Sequence, residues 1–463
     1  MKLWWLETRL LLKNRAVRWL GAAYLVMMML AVGVGYARFQ GDDVAGEALK
    51  TRMAAEQAAW RHKVVAQGPG SAGYYLFLPA VFAPSPWSAL FGGERASHLT
   101  QQRVRLLAVH GQIHGGPIRN PELAVIGDLD LGFVWAYLLP LLIGLISVTF
   151  VADDRRRGRW SMLQALTDPV GLVLRRLLIR FGSVLLLNSA LLVAAAFVAA
   201  LPWETRLGVV WLLLVLYQAF WFCVAALVLQ LGRNAHQSIL VYVAVWVLSV
   251  WLVPALHTMS KLETEHFNQG VEMLVLQRQD MNDSWDRDKQ ADFDAFLATY
   301  PQWAETSPLV GRFNWKWYYA MQKASDDKVN HLFEAYTAAR EHTGSPWRLL
   351  SPTLVLQGAL EDLADTSARD QVAYLRELVA WHREKQAFWF PYLFNDKPFA
   401  PDDINRIPAF AFQPDDAPTT GTLGYLAGLI LVAGLVGTLQ HLRARRARTL
   451  PKLGIQRDAS VGA

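Results

Sequence analysis

His110 and His114 stand four residues apart, the spacing at which two imidazoles on one helical turn can share a metal ion. Gly111, Gly115 and Gly116 argue against a helix there, and no cysteine or acid sits beside the pair, so no metal site is expected. The chain has no G-x-x-x-x-G-K-[ST] motif and no Gly-Lys pair, so it cannot form a P-loop, and any ATP chemistry must come from another chain. No Ser-His-Asp, paired-carboxylate or Cys-His grouping stands out, which makes a membrane-embedded enzyme the weakest reading. The run Trp315-Lys316-Trp317-Tyr318-Tyr319 reads as packing or membrane-interface aromatics rather than a cofactor box. Cys223 is the only cysteine, so the chain forms no internal disulfide.

One short segment has the character of a contact site. Residues 152–176 read ADDRRRGRWSMLQALTDPVGLVLRR. A polar Arg-Arg-Arg-Gly turn leads into a short helix bearing Trp160, Leu163 and Leu166, and Thr167-Asp168-Pro169 breaks it. Such a helix, protruding between two membrane spans, would fit the groove of a partner protein; the plain alternative is a basic loop without a partner.

The elements that must position it are membrane helices. The stretches 19–37, 131–151, 181–203, 207–232, 238–256 and 421–440 contain no Asp, Glu, Lys or Arg. A hydrocarbon core about 30 Å thick needs ~20 helical residues, and only a helix crosses it as a single segment. The fold class is therefore all-α: a polytopic membrane protein with six transmembrane helices and a large helical domain between the fifth and sixth. Polar groups within the spans are sparse, chiefly Asn188, Gln218, Cys223 and Tyr242, so no proton relay is visible.

Charge orients the spans. Residues 1–18, 152–180, 232–237 and 441–463 together carry 19 basic and 5 acidic residues, whereas 257–420 carries 16 basic and 25 acidic. The positive-inside rule puts both termini in the cytoplasm, with 38–130 and 257–420 on the other side. The net charge of +6 thus reflects membrane orientation and not a nucleic-acid partner.

Residues 3–13, LWWLETRLLLK, form an interfacial helix if Trp4, Trp5, Leu11 and Leu12 lie in lipid while Glu7, Arg9 and Lys13 face water. A helix is expected over 43–66, ended by Gly68-Pro69-Gly70, with an irregular remainder to residue 130. In the larger loop, apolar stripes fall at Val271, Leu274 and Val275; at Phe293, Phe296 and Leu297; at Val329, Leu332, Phe333 and Tyr336; and at Leu375, Leu378, Val379 and His382. The first stripe would continue a helix out of the fifth span, and the whole would make an acidic, stalk-like body projecting from the membrane.

Particular residues resemble a known family. Gly127-Asp128-Leu129-Asp130-Leu131-Gly132-Phe133-Val134, followed by Tyr137-Leu138-Leu139-Pro140, resembles the second span of type-2 ABC transporter permeases of the copper-enzyme-maturation and gliding-motility branch. That family has a Glu-Arg-x-x-Gly-Thr motif opening its coupling helix. Asp154, Arg155 and Gly158 match it in type, whereas Arg156 and Arg159 depart from it. Pro86-Trp87-Ser88-Ala89-Leu90 with Gly93 and Arg95, and Leu350-Ser351-Pro352 with Leu356-Gln357-Gly358-Ala359-Leu360-Glu361-Asp362-Leu363-Ala364, Thr366 and Arg369, resemble the sub-branch with large outer loops.

The resemblance implies an elbow helix at 1–18, spans at 19–37, 131–259 and 421–440, a coupling loop at 152–176, outer regions at 38–130 and 260–420, and a basic tail at 441–463. The contact residues it implies are Asp154, Arg155, Gly158, Trp160, Leu163, Leu166 and Pro169. The expected function is the permease subunit of an ABC transporter in a bacterial inner membrane. It would hold no cofactor itself, ATP and Mg being bound by two copies of a separate ATPase, and would pair with a second permease copy or a sister permease. The lipid bilayer and a periplasmic protein are the other expected partners. The alternative is a non-transporting membrane scaffold whose outer domain binds a partner protein.

Overall fold

A computed structural model describes residues 2–114, 129–231, 234–262, 269–341, 347–416 and 419–449. The described chain is almost wholly helical, and six helices are long and apolar enough to cross a membrane: Arg15–Tyr75, Leu131–Arg156, Pro169–Val198, Thr205–Leu231, Ala235–Ser260 and Thr420–Gln440. They are called spans one to six here. Long segments join spans one to two and five to six, and short links join the rest, so the bundle has a long-loop face and a short-link face.

A separate helix, Lys2–Lys13, precedes span one, and the side chain of Asn14 caps the start of span one by accepting from Ala16 N at 3.0 Å. The polarity expected for this first helix is partly reversed. Leu11 is buried against the bundle, not exposed, and Glu7 pairs with Arg176 of span three instead of facing water.

Span one does not stop at the bundle. Its helix runs 61 residues to Tyr75, absorbing the helix expected over 43–66 and breaking only at Gly68, whose φ of +75° is left-handed. It resumes at once because Pro69 is pre-set for a first helical turn. The break is held from outside: Trp389 Nε1 donates to Pro69 O at 3.0 Å and Tyr319 Oη to Gly70 O at 2.8 Å. A Cβ on Gly70 would sit 2.3 Å from the Trp315 ring, so only glycine fits. The aromatic run 315–319 therefore packs against this helix. The segment expected to be irregular contains an antiparallel strand pair, Leu78–Val81 with Gln101–Val104, and a short helix, Val109–His114, that the glycines argued against. Within it Val109 N and His110 N donate to the buried carboxylate of Asp326 at 2.7 and 3.2 Å, which supplies the missing N-terminal cap.

Two apolar cores result. One joins the spans; the other joins Trp60 and Val64 of the long helix to the strand pair and to helices Gln269–Asp286, Lys289–Thr299, Trp315–Glu341 and Ala368–Phe394. Phe293, Phe296, Val329, Phe333, Leu375, Leu378, Val379 and His382 are buried as their spacing predicts. The first stripe is not: Val271 and Val275 are exposed, and Met273 and Gln277 face inward, because the inward face contains a polar residue that hydrophobic spacing cannot flag. The continuation of span five across 263–268 lies outside the described residues.

The larger loop is also not purely a projecting body. Helix Pro352–Leu363 contributes Leu356, Ala359, Leu360 and Leu363 to the core of the spans. Thr353 Oγ1 lies 3.0 Å from Tyr217 Oη, twelve residues into span four and so about 18 Å along it. At the other end Arg206, in the first turn of span four, donates to Leu363 O at 3.3 Å. This helix dips into the bundle from the long-loop face, with its N-terminus deepest.

Candidate functional site

The link between spans two and three holds the residues that sequence singled out. Span two ends at Arg156, and Gly158 turns the chain with a φ of +68°, where a side chain would be strained. Helix Arg159–Leu166 follows; Asp168 then caps span three by accepting from Gly171 N at 2.8 Å, with Pro169 in its first turn.

Asp154 is the centre of this region. Its side chain is 6% exposed, and its two carboxylate oxygens pair with Arg159 at 2.6 Å and Arg176 at 2.5 Å. Arg176 in turn pairs with Glu7 at 3.0 Å. One buried carboxylate thus joins the end of span two, the link helix, span three and the N-terminal helix. Desolvation makes such a network costly to break by removing a single partner.

The expected contact residues divide. Arg155 is exposed, with its guanidinium 5.8 Å from the Trp160 ring centre. Trp160 and Leu163 are half-buried, and Trp160 packs against the core of the spans. The apolar side chains turned outward are Leu166, 71% exposed, and Met162, 60% exposed. Leu166 is one of the residues expected from sequence, and Met162, one turn before it, joins it on the outward face.

A second grouping forms at the long-loop face, where the three stretches that carry the family resemblance meet. Asp130 caps span two by accepting from Phe133 N at 2.7 Å, and its other oxygen accepts from Gly92 N at 2.7 Å and Gly93 N at 3.3 Å. Burial pushes its carboxyl above the ordinary range despite these donors. Leu131 N donates to Leu90 O at 3.0 Å, and Thr366 Oγ1 to Phe91 O at 3.0 Å. A Cβ on Gly93 would lie 2.5 Å from Cγ of Glu361 on the dipping helix. Arg95, 3% exposed, donates to Phe82 O at 2.7 Å and pairs with Asp42 at 3.4 Å. Burial and the charges of Glu94, Asp130 and Asp362 push the Glu361 carboxyl up to about 8.

The deep end of the dipping helix meets two irregular turns. In span two, Val134–Leu138 is a widened π-type turn, so that Leu139 N bonds Val134 O and the next bond, to Trp135 O, would need an N–H at Pro140; Tyr217 Oη donates to the neighbouring Ala136 O at 2.7 Å. In span five, Leu248–Leu252 is likewise widened, so that Val253 N bonds Leu248 O and the next bond, to Ser249 O, would need an N–H at Pro254. Ser351 Oγ donates to Ser249 O at 2.5 Å. No sequence signal marked this arrangement beyond the two prolines inside spans.

No cluster of three or more His, Cys, Asp or Glu able to hold a metal is found among the described residues. His110 is buried, with its ring 4.9 Å from that of Phe333; the side chain of His114 lies outside the described residues. Gly127 and Asp128 of the resembling motif, and Arg233, also lie outside them.

Residues 271–413 match a family model described as "Domain of unknown function (DUF3526)". No curated protein matches the chain, and neither does any solved structure.

Proposed function

We propose that this chain is the permease subunit of an ABC transporter, moving or mechanically acting on a substrate with ATP hydrolysed by a separate ATPase. The observation that carries this reading is the link helix Arg159–Leu166: it turns Met162 and Leu166 outward while Asp154 fixes its base to spans two and three and to the N-terminal helix. A push on an apolar knob anchored in this way reaches two spans at once. The excess of Arg and Lys in the same links makes this face cytoplasmic, where ATP is available, and puts both long loops outside, in a bacterial inner membrane. Two such chains, or one with a sister permease, would sit on two ATPase subunits. The scaffold reading is favoured by a different observation, the independent apolar core of the large loop domain.

Replacing Met162 and Leu166 with Asp separates the two. Buried apolar anchors are typically worth more than ~1 kcal/mol each at an interface. The permease reading expects vanadate-sensitive ATPase activity to copurify with the parent chain and to fall at least tenfold with the double variant, at unchanged thermal stability. Equal ATPase activity with both chains would refute the contact, and none with either would favour the scaffold.

A further inference from the structure

The dipping helix Pro352–Leu363 is anchored differently at its two ends. At the deep end every contact is between neutral groups. Ser351 Oγ donates to Ser249 O and accepts from Leu354 N at 3.2 Å, and Thr353 meets Tyr217 Oη. The bond from Ser351 satisfies Ser249 O, a carbonyl that Pro254 leaves without a helical partner in a region where lipid offers none. The spans are therefore shaped to accept this helix, and withdrawing it leaves Ser249 O without its Ser351 donor.

The outer end carries charged groups. The Glu361 carboxylate accepts from Gln357 Nε2 at 2.8 Å. Gln357 Oε1 in turn accepts from Tyr137 Oη at 3.0 Å. The carboxyl is pressed against Gly93 and faces Glu94 of the same turn, Asp130 at the start of span two and Asp362 on its own helix. The nearby cations are engaged elsewhere: Arg38 packs on Gly92 and acts on Asp130, Arg348 packs against Gly358, and Arg206 pairs with Asp365 at 3.3 Å and with Asp416. As a neutral acid Glu361 fits this space; as an anion it is repelled by three carboxyl groups across a close-packed contact.

We infer that helix Pro352–Leu363 is a pH-responsive plug of the bundle, docked while Glu361 carries its proton and released toward the long-loop face when that proton is lost. Glu361 is half-buried against Gly93 and its proton affinity is raised, which puts the transition near neutral pH. Conditions on the long-loop face would then bias the bundle between closed and open forms. This inference goes beyond the transporter reading and does not need it, since the plug is defined within this one chain.

The test uses the full chain in proteoliposomes, with Cys223→Ser as background. Ala359→Cys reports the plug, being 1% exposed when docked. Val310→Cys, 76% exposed, normalises the intrinsic pH dependence of thiol labelling, and Leu378→Cys, fully buried in the other core, reports unfolding. A membrane-impermeant maleimide should label position 359, relative to 310, at least tenfold faster at pH 8.5 than at pH 6.5, with 378 unlabelled at both. Glu361→Gln should abolish that rise. Ser351→Ala should raise labelling at both pH values, and Glu94→Gln, which removes one repelling charge, should move the rise to higher pH values only if Glu361 is not the titrating group and to lower ones if it is. A ratio that does not change with pH, or a rise that persists in Glu361→Gln or moves upward in Glu94→Gln, overturns the inference.

Discussion

Asp154 is the residue on which the link region depends. Its partner Arg176 is 12% exposed and meets carboxylates from two other elements, Asp154 and Glu7. Asp154→Ala leaves Arg176 and Arg159 with a single acid between them, and breaking one side of a buried pair typically costs about 3 kcal/mol or more. We expect a clear fall in the thermal midpoint measured in detergent, and a smaller fall for Arg159→Ala because Arg159 is 53% exposed. Equal midpoints for Asp154→Ala and the parent would show that the network is held by something other than this carboxylate. The value of Asp154 was partly legible, as an acid in the family-like position before Arg155. Its burial was not, since its partner Arg176 lies 22 residues after it, and Glu7, which shares that arginine, lies 147 residues before it.

Among the elements, the short helix Val109–His114 shows how a buried charge replaces local propensity. Asp326 accepts from Val109 N, from His110 N and from Gln277 Nε2 at 2.7 Å, so it ties three elements of the loop domain together. Burial nonetheless outweighs these donors and pushes its carboxyl up to about 6. The folded chain therefore binds this proton more tightly than the unfolded chain. Stability contributed by the protonated form is present below about pH 4 and is lost as pH rises to about 6, on the order of 1 kcal/mol per unit of difference. Asp326→Asn should flatten that part of the curve of unfolding midpoint against pH; an identical slope in the variant would contradict the assignment. Period and charge revealed the long elements, including the four helices of the loop domain and all six spans. They did not reveal the dipping helix Pro352–Leu363, because it is too short to read as a span and Gln357, Glu361 and Asp362 make it read as surface. Nor did they reveal that Lys385 and His382 are buried side by side in the helix Ala368–Phe394, where spacing placed His382 correctly but gave no warning of the amine.

At the scale of the whole molecule, two cores are joined by the 61-residue helix that begins as span one and ends beside the strand pair, and by the dipping helix that returns from the loop domain into the bundle. A displacement at the short-link face has a rigid route to the loop domain through span one, since the N-terminal helix beside Arg176 leads into that span through Asn14. The central claim is that an ATPase supplies this displacement at Leu166 on the cytoplasmic side. The most direct measurement is photo-crosslinking in native membranes from a benzophenone amino acid placed at Leu166 and, separately, at Val310 of the loop domain. We predict that the adduct at 166 contains a P-loop ATPase, identified by mass spectrometry, and that the adduct at 310 does not. An adduct with the ATPase at 310 and none at 166, or adducts at 166 only with proteins lacking a P-loop, would contradict the account.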